Sequence, residues 1–358
     1  MDSYAYVFSY GEVFQIKFNS LLSLSVLPFV LALGITGCQI QPSTDSSETV
    51  DEEESNDTMQ NSGVKKGDEH LTVGDSVGDL LTHPAFQGFE NQLMPRNDSS
   101  YDEEMLLRDI GRLMPYHNHV DPETVVNSLN HMVDEIDAGN KIFYDFYSAE
   151  QKQEDQSRTN TGLFFFRGDP GAPFAIISPG GGFSYVGSLH EGFPYAQELS
   201  NRGYNAFVLN YRVGGEDIAT EDLSAAISYI VENAEELEVS VEDYSVWGSS
   251  AGARMAANAG SFKKDGFIAP NTIVMAYTAH QNFSENDPPT FVTASKSDRI
   301  VNVDAVKNRV ANLRNAGIDV EYLQFDNVGH GFGLGTGTDA EGWIDEAISF
   351  WEKQMKAS

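Results

Sequence analysis

The pentapeptide at residues 248–252 constrains the fold more than any other feature of this chain. Its sequence, Gly-Ser-Ser-Ala-Gly, follows the apolar run 244–247 and precedes a stretch rich in small residues that continues to Ala259. A strand, a sharp turn and a helix of small residues would present Ser250 at the tip of the turn. A base could then approach the hydroxyl from one side and a substrate from the other. A Cβ at either flanking glycine should collide with the neighbouring strand or helix.

Short apolar runs alternate with helical patterns from Lys141 to the C-terminus. The runs typical of buried strands are 142–147, 163–167, 174–178, 206–211, 244–247, 272–277, 290–294 and 320–325. The helical patterns are 190–202, 221–234, 250–259, 302–316 and a last one from Trp343. Repeated units of this kind predict an α/β domain, with a mostly parallel sheet and helices on both faces. The first two runs, which a polar stretch separates, predict a hairpin.

Two helical patterns precede the sheet. Residues 102–114 place apolar side chains on one face, and a second pattern ends near Gly139. Asp121 before Pro122 predicts the N-terminus of the second helix. These helices would either cover part of the active site or pad one flank of the fold, and we favour padding.

An acid and a base for Ser250 follow two late strands. Asp298 and His330 both lie in loops that come directly after predicted strands. The carboxyl ends of parallel strands share one edge of a sheet, where active sites of such sheets lie. His330 would accept the Ser250 proton, and Asp298 would fix the tautomer of the imidazole. Gly329 and Gly331 would leave room for the ring to swing over the serine.

Other residues compete for these roles. Asp287 and Asp326 are rival acids, and His280 is the nearest rival base, although it precedes the acid and could instead line the pocket. Ser249 does not occupy the central position of the pentapeptide. The remaining histidines after the leader do not follow a late strand in a glycine-flanked turn: His70, His83, His117, His119, His131 and His190.

The triple glycine in Pro179-Gly-Gly-Gly-Phe183 follows another predicted strand. Backbone amides at such a loop can stabilise an oxyanion without reorganisation. The expected donors are the N–H groups of Gly181, Gly182 and Ala251. Nucleotide-binding motifs are absent from the sequence, and the chemistry predicted here requires neither cofactor nor metal. The single cysteine, Cys38, excludes an intrachain disulfide and a cysteine-based zinc cluster.

Five segments together resemble the bacterial α/β-hydrolase esterases. They are residues 179–187, 211–212, 248–252, 297–298 and 329–332. The nearest branch is that of the acetylxylan and feruloyl esterase-like carbohydrate esterases, with the hormone-sensitive-lipase-like esterases as cousins. The resemblance implies an α/β-hydrolase fold for residues 141–358.

One departure from these families concerns the glycine loop. They usually begin the oxyanion motif with histidine, whereas this chain has Pro179. The donors stay in place, but a side chain that normally braces the loop is missing. The helices of the N-terminal extension, residues 71–140, are not explained by the resemblance.

The N-terminus is typical of a lipoprotein signal peptide, assigned to residues 1–37. Lys17 precedes a short apolar run at 21–33, and residues 35–38 resemble the bacterial lipobox, in which the cysteine is lipidated. Alternatives are an ordinary signal peptide with an incidental cysteine or a short anchor helix. Residues 1–16 carry acidic and no basic side chains, so translation could start further in. We expect an extracytoplasmic protein anchored through Cys38.

Acidic residues dominate both the predicted stalk and the whole chain. Residues 38–70 are polar and acidic, which predicts a disordered stalk. The chain has a net charge of −32, which disfavours nucleic acid and anionic membranes as partners. Contact with a membrane is therefore expected only through lipidated Cys38.

The sequence predicts a serine esterase that hydrolyses short acyl esters, above all acetyl esters, through an acyl-enzyme. The resemblance suggests polysaccharide fragments as the alcohol half, so the expected partner is a small-molecule or oligosaccharide ester. A lipase or a peptidase on the same fold is an alternative, and so is a surface lipoprotein that binds without catalysis.

Overall fold

The computed structural model describes residues 4–9, 12–17, 69–96, 100–261 and 268–357. The chain divides into two units, residues 1–60 and 61–358. In the first unit, β1 (Tyr4–Ser9) and β2 (Glu12–Lys17) pair antiparallel. The apolar leader run, Cys38 and nearly all of the predicted stalk lie outside the described residues. In the part of the chain that is described, no helix has the length and apolarity needed to span a bilayer.

The second unit is built on one eight-stranded sheet. Its strands are β3 (Phe143–Tyr144), β4 (Gly162–Phe166), β5 (Pro173–Ser178), β6 (Asn205–Asn210), β7 (Ser240–Ser249), β8 (Thr272–Ala276), β9 (Thr290–Ser295) and β10 (Val320–Phe325). Their spatial order is β10-β9-β8-β7-β5-β6-β4-β3, and all neighbours are parallel except β4 with β6 and β3 with β4. This is the predicted α/β-hydrolase fold. Strands β3 and β4 form the predicted hairpin, although β3 is shorter than the predicted strand at 142–147 and helical turns connect the two.

Helices cover both faces of the sheet. The main helices after β5 are α5 (Phe193–Ser200), α6 (Glu216–Glu232), α7 (Ala251–Gly260), α8 (Val303–Asn315) and α9 (Trp343–Met355). Strand side chains alternate between two large apolar clusters, so that Ile177 and Trp247 join α5 and α9, whereas Ile176 and Val246 join α6 and α7. Strands β4, β5, β6, β8 and β9 are almost wholly buried, and so is β7 from Tyr244 onward, as near-continuous apolar runs predict.

The N-terminal extension contains α1 (Val77–Leu81), α2 (Glu90–Leu93) and α3 (Pro122–Asp137), and α4 (Ala149–Glu154) lies between β3 and β4. Asp121 caps α3 as predicted, because its carboxylate accepts the Glu123 N–H. The helix predicted at 102–114 is instead a 3-10 helix at Leu107–Leu113. The N–H groups of Leu107 and Arg108 donate to the carbonyls of Asp75 and Val73, so the preceding residues do not form an α-helical turn.

Candidate active site

Ser250 lies in the turn between β7 and α7 with a strained backbone. Its φ of +52° is rare for a residue with a Cβ, and its N–H donates to the Ala276 carbonyl at 2.8 Å. A Cβ at Gly252 would lie 1.8 Å from the Ser178 carbonyl oxygen, and one at Gly248 would lie 2.3 Å from the Gly252 carbonyl oxygen. The collisions expected at both glycines are therefore confirmed, and they explain why the turn can be this tight.

Three predicted residues from three loops form one chain of hydrogen bonds. The Nε2 of His330 lies 2.9 Å from the Oγ of Ser250, and its Nδ1 lies 2.7 Å from the Oδ2 of Asp298. The side chains of His330 and Asp298 are 4% and 1% exposed. Water therefore has little access to the imidazole–carboxylate contact, which strengthens it.

The two oxygens of Asp298 have separate partners. Oδ1 accepts the backbone N–H groups of Ile300 and Val301, both at 2.8 Å, while Oδ2 faces His330. An ionised carboxylate can only accept, so the Nδ1 of His330 carries the hydrogen and Nε2 is left to accept from Ser250. This tautomer is the one that allows the imidazole to act as a base toward the serine.

The loops that carry Asp298 and His330 are joined to each other. The N–H of Gly329 donates to the hydroxyls of Ser295 and Ser297, at 3.1 and 3.0 Å. Two short strands that are neighbours in the sheet thus hold the histidine and its acid in a fixed relation.

The glycines beside His330 have a different purpose from the one expected. Gly329 and Gly331 have φ values of +78° and +62°, and both are covered by residues of the N-terminal extension. A Cβ at Gly331 would lie 2.7 Å from the Tyr116 carbonyl oxygen, and one at Gly329 would lie 3.1 Å from the Asn118 amide nitrogen. The glycines thus admit another chain segment rather than give the imidazole room to swing.

That segment, residues 116–118, brings the extension into the site. The N–H of Asn118 donates to the Gly331 carbonyl at 2.9 Å, and its side-chain amide donates to the His330 carbonyl at 3.0 Å. The padding favoured for the extension describes α3, which buries its apolar face in the same core cluster as α5. It does not describe the 116–118 segment, which contacts the histidine loop.

The rival residues are engaged elsewhere. Asp287 accepts hydrogen bonds from Ser261 and Ser284, and Asp326 pairs with Lys296. The remaining two are buried: His280 lies 4.0 Å from Glu216, and Ser249 points its hydroxyl toward Tyr195.

The glycine loop, residues 179–187, passes directly over the serine, and we call it the oxyanion loop. A Cβ at Gly180 would lie 3.0 Å from the Cβ of Ser250. Gly181 and Gly182 have φ values of +135° and +63°, and no hydrogen bond from their N–H groups to the described residues is found. Ala251 begins α7, where a first-turn N–H has no acceptor within the helix. Gly181 and Gly182 follow Gly180 in the chain and Ala251 follows Ser250, and none of these three N–H groups has an acceptor among the described residues.

A buried carboxylate that sequence reasoning missed lies beneath this loop. Glu191, in the π-helical turn Ser188–Gly192, is 0% exposed and accepts the Gly180 N–H at 2.7 Å. Its other oxygen accepts the Tyr277 hydroxyl at 2.6 Å and lies 3.0 Å from the Nε2 of His117. Burial alone raises the pKa of Glu191, but its attraction to His117 and the hydrogen bonds from His117 and Tyr277 outweigh burial and lower the pKa to about 2. The available signal was a glutamate within a run of apolar and small residues.

The arrangement has the parts that acyl transfer requires. A serine hydroxyl contacts a base, an acid contacts that base, and the loop that packs on the serine carries N–H groups with no acceptor among the described residues. Within the described ranges, no three His, Cys, Asp or Glu side chains form a group that could hold a metal ion.

Two family models match parts of this chain, and curated proteins are similar to it. The BD-FAE family model matches residues 168–279, and the prolyl oligopeptidase family model matches residues 271–358. An acetylxylan esterase of Xylanibacter ruminicola is 23% identical over 231 residues, which are 54% of this chain and 48% of that protein. An endo-1,4-β-xylanase B of Butyrivibrio fibrisolvens is 24% identical over 231 residues, 51% of this chain and 36% of that protein. The chain thus spans half or less of these curated relatives.

Solved structures with a similar fold include an α/β-hydrolase enzyme, MGS-M1, from a deep-sea metagenome library of the Medee basin. It is 26% identical, with a TM-score of 0.49, over 55% of this chain and 93% of its own. An acetyl ester-xyloside bifunctional hydrolase of Caldicellulosiruptor lactoaceticus is 23% identical, with a TM-score of 0.49, over 54% of this chain and 88% of its own. The similarity to the acetylxylan esterase and the match to the BD-FAE model confirm the resemblance to bacterial α/β-hydrolase esterases of the acetylxylan esterase type.

Proposed function

We propose that this protein is a serine esterase that hydrolyses short acyl esters, with acetyl groups on polysaccharide fragments as its substrate class. The observation that carries the proposal is the hydrogen-bond chain from Ser250 through His330 to Asp298, beside a glycine loop in which the Gly181 and Gly182 N–H groups have no acceptor among the described residues. The similarity to an acetylxylan esterase supports the choice of substrate.

The geometry supports a two-step reaction. Ser250 attacks the ester carbonyl while the Nε2 of His330 takes its proton, and Asp298 stabilises the imidazolium that forms. The N–H groups of Gly181, Gly182 and Ala251 would receive the oxyanion, as the sequence predicted. His330 then returns the proton to the leaving alcohol. Water hydrolyses the acyl-enzyme through the same base, so the reaction needs neither cofactor nor metal.

The surroundings of the serine favour a neutral sugar ester. Tyr116 is 44% exposed, and its ring approaches Gly182, because a Cβ on that glycine would lie 3.1 Å from it. An exposed aromatic ring beside the oxyanion loop offers a flat apolar surface for a pyranose ring. The net charge of −32 would repel anionic substrates, whereas acetylated sugars carry no charge.

A peptidase on the same fold is the second candidate, because the prolyl oligopeptidase family model matches the residues that contain Asp298 and His330. The two candidates share the nucleophile and differ in the bond that is broken. A panel of peptide p-nitroanilides separates the two candidates, since only a peptidase should cleave them at a Ser250-dependent rate.

The experiment that tests the proposal is hydrolysis of p-nitrophenyl acetate, butyrate and octanoate by the full chain, beside Ser250→Ala. Turnover of acetate that falls by at least about 10³-fold in the variant is the expected result. Acetylated and deacetylated xylan then test the polysaccharide step by acetate release. Preference for octanoate would indicate a lipase instead. Failure of all three esters to show Ser250-dependent turnover would overturn the esterase and leave a peptidase or a binding lipoprotein.

We also propose that the protein is extracytoplasmic and that a lipidated Cys38 anchors it to the cell membrane. Mass spectrometry of the mature protein from membranes should find a lipidated cysteine at its N-terminus. An intact segment upstream of Cys38 would contradict it.

A further inference from the structure

A fully buried carboxylate contacts the oxyanion loop and takes no part in the chain from Ser250 to Asp298. The Oε2 of Glu191 accepts the Gly180 N–H at 2.7 Å. A Cβ built on Gly180 would lie 2.7 Å from this oxygen and 3.0 Å from the Cβ of Ser250. The backbone of Gly180 therefore packs closely against both the carboxylate and the nucleophile, and only a residue without a Cβ fits there.

The second oxygen of Glu191 is held from two other elements. It accepts the hydroxyl of Tyr277, which follows β8, and contacts His117 of the N-terminal extension. The other ring nitrogen of His117 lies 2.8 Å from the hydroxyl of Tyr185, within the oxyanion loop itself. The Tyr277 ring also packs edge-on against the imidazole of His330, with ring centroids 5.1 Å apart. Glu191, His117 and Tyr277 thus contact both the oxyanion loop and the imidazole of His330.

Loop closure depends on the same residues. The N–H of Gly187 donates to the Gly180 carbonyl at 2.9 Å, and the N–H of Glu191 donates to the Gly187 carbonyl at 2.9 Å. Gly180 is therefore fixed through both its N–H and its carbonyl. Because the peptide plane is rigid, fixing Gly180 limits the directions available to the next N–H groups, those of Gly181 and Gly182.

A charged acceptor suits this task better than a neutral one. Hydrogen bonds to an ionised carboxylate are shorter and about twice as strong as neutral ones. Burying an ion is costly unless it is paired, and here three donors from separate elements surround it. An apolar residue could fill the same space without that cost, so packing alone does not account for the carboxylate.

We propose that Glu191 is a positioning residue that fixes the backbone of the oxyanion loop over Ser250, with His117 of the N-terminal extension as its support. This inference rests on the proposed function for its catalytic consequence. Glu191 touches no substrate and acts through the direction of the Gly181 and Gly182 N–H groups.

Three variants of the full chain test this role. Glu191→Leu removes every acceptor, Glu191→Gln keeps the shape and one acceptor, and His117→Ala removes the support. Glu198→Gln is the matched control, because this glutamate lies in α5 and pairs with Arg202 at the surface. It removes one negative charge without contact with the oxyanion loop.

The first measurement is hydrogen exchange of the peptide covering residues 179–187, which needs no esterase activity. Exchange of this peptide should rise at least about tenfold in Glu191→Leu and less in His117→Ala, while β5 and β7 remain protected. The control should match the wild type. Unchanged exchange in Glu191→Leu would overturn the proposal, whether or not the protein proves to be an esterase.

The second measurement separates kcat from KM on p-nitrophenyl acetate. Glu191→Leu should lower kcat about 10²-fold, comparable to the loss of one oxyanion donor, with KM within about threefold. Glu191→Gln should lose less kcat than Glu191→Leu. A merely structural role of Glu191 would not predict a recovery confined to kcat. If the wild type is inactive on all esters, the proposed function fails. The exchange measurement alone then decides whether Glu191 positions the oxyanion loop. A raised KM with unchanged kcat would overturn the positioning role.

Discussion

At the scale of single residues, the division of labour within Asp298 sets the direction of proton transfer. Two backbone N–H groups occupy Oδ1, so only Oδ2 remains for His330. Rotation of the carboxylate out of this orientation would break both of these hydrogen bonds. The tautomer of His330 is therefore fixed by the backbone of the loop that follows β9.

Asp298→Asn should lower kcat about 10³- to 10⁴-fold with little change in the free energy of unfolding. The Ile300 and Val301 N–H groups require an acceptor, so the amide oxygen will face them and the NH₂ will face His330. Nδ1 must then accept, and Nε2 carries the hydrogen toward Ser250, where a base is needed. Steady-state kinetics and thermal unfolding check this.

The matched control for that variant is Asp326→Asn, because Asp326 is an exposed acid that pairs only at the surface with Lys296. It should keep kcat within about twofold, since surface charges have small effects. Equal losses in both variants would contradict the tautomer argument.

The sequence predicted the site residues that lie next to glycines and strand ends. It did not predict the buried pair of Glu191 and His117. Ser250, Asp298 and His330 follow apolar runs in the order the resembling families use. Glu191 and His117 carry no such signal, because their contact joins positions 74 residues apart in the chain. Only the fold shows that a histidine before the sheet and a glutamate after β5 form one buried pair.

At the scale of elements, the N-terminal extension has two parts with different roles. Helix α3 pads the sheet through apolar contacts, and the 116–118 segment reaches the histidine loop through hydrogen bonds. The periodicity of apolar residues could predict the first role, because an amphipathic helix buries its apolar face. It could not predict the second, because a short irregular segment has no period.

Asn118→Ala should lower kcat about tenfold and the free energy of unfolding by about 1 kcal/mol. The variant removes the side-chain hydrogen bond to the His330 carbonyl, so the imidazole loses part of its fixed position relative to Ser250. Asn140→Ala is the control. Asn140 follows α3, away from the serine, and its side-chain amide donates to the Glu135 carboxylate. It should cost similar stability with unchanged kcat. Equal kcat losses in the two variants would show that the effect is not local.

At the scale of the whole molecule, buried histidines make stability depend on pH. Burial, with repulsion from His117, lowers the pKa of His190 to about 4 from an ordinary value of 6.5. Between these values the unfolded chain binds a proton that the folded chain does not. The stability contributed by neutral His190 is therefore complete above about pH 6.5, falls as the pH drops, and is fully lost near pH 4.

His190→Gln should flatten the pH dependence of stability between pH 6.5 and 4 by an amount on the order of 2–3 kcal/mol. Glutamine keeps a donor for the Asn118 and Gly331 carbonyls, which the imidazole Nε2 contacts at 3.1 Å. The other carboxylates are the same in both proteins, so the difference between the two curves reports His190 together with its coupling to Glu191. Urea unfolding at several pH values measures it, and parallel curves would contradict the assignment.

The strand order gives the two halves of the site unequal protection. Ser250 follows β7, in the interior of the sheet, whereas His330 follows β10, a half-exposed strand at the edge. Edge strands with exposed hydrogen bonds open by local unfolding at a lower free energy than central ones. Partial unfolding of this edge would separate the base from the nucleophile while the core stays folded. Because the 116–118 segment binds the histidine loop, we expect its hydrogen bonds to set the denaturant concentration at which the site comes apart.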